Sequence, residues 1–148
     1  MNRMSKKLNK KGFTLAELLI VVAIIAVLVV VSVPIFSSKL EKAREAADVA
    51  NMRAAKAAAA AMYLGDESSA SKGPYYYDAD NGVLENKEDG IDGYGQGTKT
   101  EGGVTYGDYY KDTTEWKGQI IKVTIKAPEE ADKEVIIEME WVPVGTTK

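Results

Sequence analysis

Apolar residues are spread unevenly along this chain. Leu18 to Val31 is an unbroken run of Leu, Ile, Val and Ala, and no charged residue occurs over the 21 positions from Leu18 to Ser38. As a helix that stretch would span about 31 Å, close to the hydrocarbon thickness of a bilayer. A helix that is apolar all round needs either a large protein core or a membrane around it. The rest of the chain offers too little apolar material for the former, so a membrane-spanning helix is predicted. From Lys39 to Leu64 the composition turns to Ala, Met, Leu, Lys, Arg and Glu. These are helix formers, so the helix should continue until Gly65 stops it. Pro34 lacks an N–H and should kink or loosen it on the way. Arg44 is spaced to pair with Glu41 and Asp48. Ala54, Ala55 and Ala57 to Ala61 form a small-residue surface that lets another element approach closely.

The pattern changes again near the C-terminus. Ile121, Val123 and Ile125 alternate with Lys122, Thr124 and Lys126; Val135, Ile137, Met139 and Trp141 alternate with Ile136, Glu138 and Glu140. A period of two predicts strands, and the polar Pro128–Lys133 segment between them predicts an antiparallel hairpin. Lys122, Lys126, Glu138 and Glu140 would then share its solvent face. Between helix and hairpin, Asp66 to Gly118 holds ten of the 13 Gly and seven of the eight Tyr. It reads as Gly-rich connection with short strands, Val104–Tyr110 among them. The Tyr residues are expected to pack over the sheet or helix. A hairpin alone is marginal, so the Ala-rich half of the helix should cover its apolar face. The expected fold class is α+β, with a long N-terminal helix on a small antiparallel sheet.

Charge sharpens this division. Residues 1–12 carry five bases and no acid, whereas residues 63–148 carry nine Lys and 18 acids. The basic end favours a cytoplasmic N-terminus. The chain has neither Cys nor His. That excludes disulfides, Cys/His zinc sites and His-based acid–base or nucleophilic catalysis. No coherent nucleophile–base set appears elsewhere, so an enzyme is not expected. The acidic balance argues against nucleic-acid contact. Asp78 and Asp80, in Asp78-Ala79-Asp80-Asn81-Gly82, are hard oxygen ligands of the kind calcium takes. They lack the spacing of an EF-hand, and Asn81-Gly82 is first a turn signal. Gly93, Gly95 and Gly97 lack the Lys and the strand–helix context of a phosphate loop, so a flexible loop is expected. No cofactor and no metal is expected.

The basic leader does not end in the small-x-small site of a secretory signal peptide. It ends in Lys10-Lys11-Gly12-Phe13-Thr14-Leu15-Ala16-Glu17, placed before the apolar run. This string resembles the precursors of type IV pilins and the related pseudopilins, in which a short basic leader ending in Gly precedes Phe-Thr-Leu-x-Glu and a hydrophobic helix. Ala16 stands where Val or Ile is common. Pro34 falls where many members carry Pro, and the Gly often found in that region is missing. The likeness covers residues 1 to about 60, and the remainder matches no motif.

The resemblance implies cleavage between Gly12 and Phe13 by a membrane prepilin peptidase, which usually methylates the new amine of Phe13. It implies a role for Glu17, since a carboxylate in an apolar helix costs several kcal/mol unless paired. The amine of a neighbouring subunit's Phe13 would supply the partner and set the stagger between helices. The organisation implied is a cleaved leader (1–12), an assembly helix (13–38), its amphipathic continuation (39–64), a Gly/Tyr-rich region (65–117) and a C-terminal hairpin (118–148). The function implied is a structural subunit of a type IV pilus-like filament, a homopolymer held by its N-terminal helices. Its other partners would be the bilayer before assembly and a membrane assembly platform with its ATPase. It would wait in the cytoplasmic membrane as a single-pass precursor and end in an extracellular filament. The alternatives are a pseudopilin of a type II secretion or DNA-uptake system and a single-pass anchored extracellular binding domain. Some secretion pseudopilins bind calcium, which is why Asp78 and Asp80 are named.

Overall fold

The computed structural model describes residues 12–97 and 116–145. The leader up to Lys11 and the strand expected over Val104–Tyr110 lie outside the described residues. One helix, α1 (Leu15–Gly65), runs through Pro34, and the chain divides into two compact units, up to Ser37 and from Ser38.

The first unit is the apolar part of α1. Its side chains are exposed on every side, from Leu18 at 50% to Val30 at 73%. It is long and apolar enough to cross a membrane, and none of its most apolar window is buried within the protein. Its two hydroxyls are satisfied internally: Ser32 Oγ donates to the Leu28 carbonyl at 2.6 Å and Ser37 Oγ to that of Val33 at 3.0 Å. Such back-bonding leaves no free hydroxyl in an apolar solvent.

In the second unit α1 becomes one-sided. Glu45, Asp48, Val49, Met52, Ala55 and Ala59 are buried, a helical stripe facing the head. Ala43, Ala47, Ala50, Ala54, Ala57 and Ala61 remain exposed on the other side. The small-residue surface is therefore split between two faces: Ala55 and Ala59 admit the head closely, and the other stripe points outward. A 3₁₀ turn (Glu67–Ser71) follows, capped by the Asp66 carboxylate, which accepts from Ser68 N and also pairs with Lys72 Nζ at 2.7 Å.

Four strands follow: β1 (Tyr75–Asp78), β2 (Val83–Glu85), β3 (Ile120–Lys126) and β4 (Ile136–Val142). They form one antiparallel sheet in the order β2-β1-β3-β4. The expected hairpin is β3–β4, registered Ile121 to Trp141, Val123 to Met139 and Ile125 to Ile137. Ile121, Val123, Ile125 and Trp141 are buried with Met52, Ala55 and Ala59 of α1, and Tyr75 and Tyr77 of β1 join them. On the solvent face Lys122 pairs with Glu140 at 3.1 Å and Lys126 with Glu138 at 2.6 Å. The fold is thus α+β, a long helix packed through its C-terminal part on a small four-stranded sheet.

Two local expectations are corrected. Arg44 pairs with Glu41 at 3.6 Å, but Asp48 is buried and serves the head instead. Its carboxylate accepts from Gln96 N (2.8 Å), Gly97 N (2.6 Å) and the indole Nε1 of Trp116 (2.7 Å). Burial pushes its pKa above the ordinary carboxylate value; the three hydrogen bonds oppose that shift. Nor is the Gly93–Gly97 segment a loose loop. Tyr94 N and Gly95 N donate to the Gln119 carbonyl, and Gly118 N to that of Gly95 at 2.7 Å. A Cβ on Gly93 would lie 1.9 Å from the Gly118 carbonyl oxygen, and one on Gly95 2.1 Å from that of Trp116. The alternating glycines let two backbones touch, and the amides at 96 and 97 cradle a carboxylate from the chain itself.

Candidate processing and assembly site

The candidate site is built on the first residues before α1. Gly12, Phe13 and Thr14 are non-helical and exposed, and Phe13 retains 82% of its surface. The boundary with the helix is fixed by two reciprocal hydrogen bonds. Thr14 N donates to Glu17 Oε2 at 3.1 Å, and Glu17 N donates to Thr14 Oγ1 at 3.2 Å. Leu18 N then donates to the Thr14 carbonyl at 3.2 Å. Thr14 is thus the N-cap and Glu17 the third helical residue of a capping box, which satisfies two donors that a helix start otherwise leaves open. The carboxylate also sits at the positive end of the helix dipole.

Among the described residues, nothing crowds Gly12. A Cβ there would meet nothing within 4 Å, and its φ lies outside the left-handed region. Gly12, Phe13, Thr14 and Glu17 lie together at one helix end; Pro34 lies farther along the same helix. The Thr14–Glu17 box went unnamed in the sequence reading although its signature was present: Thr-x-x-Glu directly ahead of an apolar run.

Asp78 and Asp80 lie at the β1–β2 turn. Asp78 Oδ1 accepts from Asp80 N (2.9 Å) and Asn81 N (3.2 Å), and Asp78 Oδ2 from Asn81 Nδ2 (2.7 Å). The Asn81 side-chain and backbone hydrogen bonds hold the Asp78 pKa below the ordinary carboxylate value. Its oxygens shape the turn. No group of three or more acidic side chains able to hold a metal occurs among the described residues.

Residues 7–33 match the family model of the prokaryotic N-terminal methylation motif. The chain thus carries the leader and helix start of a type IV prepilin-like precursor, directly on the capped helix end described above. No curated protein and no solved structure matches the chain. The motif and the long apolar helix suit a membrane-anchored precursor.

Proposed function

We propose that this protein is the structural subunit of a type IV pilus-like filament, cleaved between Gly12 and Phe13, methylated at Phe13 and assembled through its N-terminal helices. The observation that carries the reading is the coincidence of the methylation motif with a non-helical, exposed Gly12–Phe13 bond immediately before a capped apolar helix. A peptidase needs a segment that is not wound into helix, and the cap keeps the helix from advancing over the bond. The apolar part of α1 is first solvated by lipid and then by the helices of other copies.

Two surfaces of the same chain support polymerisation. One is the apolar stretch of α1, exposed on every side. The other is the outward alanine stripe, whose spacings of four and three residues alternate over Ala43, Ala47, Ala50, Ala54, Ala57 and Ala61. That is the seven-residue repeat of a helix–helix seam, and alanine lets the partner approach closely. Two different surfaces meeting head to tail generate an open helical array when the rotation between copies does not close into a ring. In this reading Glu17 pairs with the amine that cleavage creates on a neighbouring Phe13. The peptidase, the assembly platform and its ATPase act on the chain from outside, and the chain itself catalyses nothing.

Intact-mass measurement of the native protein tests the reading. The expected result is a chain beginning at Phe13, with or without one added methyl group. A native chain that retains residues 1–12 overturns it and favours an anchored binding domain.

A further inference from the structure

The head carries a concavity that neither processing nor assembly uses. It is an open recess of about 480 Å³ whose walls include Lys72, Tyr76, Asn86, Lys87 and Asp89. That volume lies within the range of small-molecule sites, which combine an apolar floor with a few convergent polar groups.

The floor follows from strand alternation. Tyr75 and Tyr77 point into the core, so Tyr76 lies on the outer face of β1, half-buried between Glu85 of β2 and Lys122 of β3 in register. The polar wall follows from the segment after β2, anchored where Ile91 is buried and Ile91 N donates to the Glu88 carbonyl at 3.1 Å. On the far side Lys72 is held by Asp66 at 2.7 Å. The recess is therefore shaped by tied segments.

Its side chains differ from their neighbours in one respect. Lys72, Lys122 and Lys126 are each matched to a carboxylate, and Asp78 is consumed by its own turn. Among the described residues, Asn86, Lys87, Asp89 and the Tyr76 hydroxyl have no hydrogen-bond or ion-pair partner, although they line one recess. They supply a cation, a carboxylate, an amide with both donors and acceptors, and an aromatic face.

That set selects among ligands. Asp89 and the buried Glu88 oppose a polyanion such as a phosphate ester. Lys72 and Lys87 oppose a bare metal cation. An uncharged ring with a C–H face and a rim of hydroxyls suits all of them at once. The C–H face stacks on the Tyr76 ring, while the hydroxyls donate to Asp89, accept from Lys87 and do both with Asn86. We propose that this recess is a binding site for a neutral saccharide, seated on Tyr76 and read by Asn86, Lys87 and Asp89.

The test uses the full chain in zwitterionic micelles, because glycoside detergents would themselves present sugars. Methyl glycosides of glucose, galactose, mannose and N-acetylglucosamine are titrated and followed by saturation-transfer NMR. At least one is expected to bind with a Kd of about 1 mM, the range open to so small a ligand. Tyr76→Phe should keep that binding and Tyr76→Ala should weaken it about tenfold, the scale of one lost stacking contact. If Tyr76→Ala alters the far-UV circular dichroism, the Asn86→Ala/Lys87→Ala pair replaces it, with the same loss expected. Absence of binding by all four glycosides overturns the proposal, as does unchanged binding in a folded variant. A stronger response to inorganic phosphate or to calcium also overturns it. The measurement is made on unassembled chain, so its failure leaves the Phe13 mass result untouched.

Discussion

Asp48 turns one carboxylate on α1 into the acceptor for three donors, two loop amides and an indole. Removing it takes the acceptor away from the buried Gly97 amide and Trp116 indole, which costs more than the hydrogen bonds themselves contribute. Asp48→Ala should therefore destabilise the head by about 2–4 kcal/mol. Urea unfolding of the full chain in micelles, followed by tryptophan fluorescence, measures this, because Trp116 is one of the donors. The pH dependence has a definite sign. Burial raises the Asp48 pKa above its ordinary value of 3.8, so in that window the folded state holds a proton that the unfolded state has released. Its contribution to stability is present below pH 3.8 and declines as pH rises through the folded-state value, and Asp48→Asn should remove this slope. Asp66 behaves oppositely. Its hydrogen bond from Lys72 lowers its pKa to about 2, so its contribution is present above pH 3.8 and lost as pH falls toward 2. It is exposed, and solvent screening keeps that contribution small. None of this was legible in the sequence around Asp48. An acid four residues after an arginine reads as a surface pair, and its true partners stand 48, 49 and 68 positions away.

Elements differ in how clearly they announce themselves. β3 and β4 alternate apolar and charged residues, so period, face and antiparallel pairing followed from the residues alone; which Lys meets which Glu, Lys122 with Glu140 and Lys126 with Glu138, came from the register. β1 and β2 were harder. Tyr75-Tyr76-Tyr77 does not alternate in polarity, and β2 has only three residues, so only the Asn81-Gly82 turn between them gave a signal. The insertion of β1 beside β3 depends on contacts across some 45 residues of chain, which local pattern does not encode. The Gly93–Gly97 segment was misread for a physical reason. Alternating glycines mark either freedom or crowding, and only the neighbour decides which. That neighbour, the backbone of Trp116 to Gln119, is fixed by tertiary structure. The two meanings of glycine separate in a paired experiment. Gly95→Ala forces a Cβ to within 2.1 Å of a carbonyl oxygen and should cost at least about 2 kcal/mol in head stability. Gly12→Ala meets open space and should leave stability unchanged while blocking removal of the leader. Unfolding curves for both variants, with an immunoblot for leader removal, check the contrast.

Over the whole molecule, the decisive question is what Glu17 does. The composition suggested a cost: an acid within an apolar helix, awaiting a partner. The capping box reduces that cost before any second copy arrives, because Thr14 N already donates to Glu17. Glu17 therefore has two candidate roles, a cap within its own chain and an ion pair with the amine of another. Buried ion pairs set register more dependably than they add stability, which fits the proposed staggered packing of identical helices. Glutamine separates the roles, since it serves the third position of a capping box as glutamate does but carries no charge. Glu17→Gln should keep the helix start at Leu15 and so permit leader removal, yet fail to enter filaments. Glu17→Leu should lose both the cap and the charge and also fail to assemble. Quantifying sheared surface filaments against total Phe13-terminated protein gives the answer. If Glu17→Gln assembles as the parent does while Glu17→Leu does not, capping is the whole contribution of Glu17, and another contact sets the stagger between subunits.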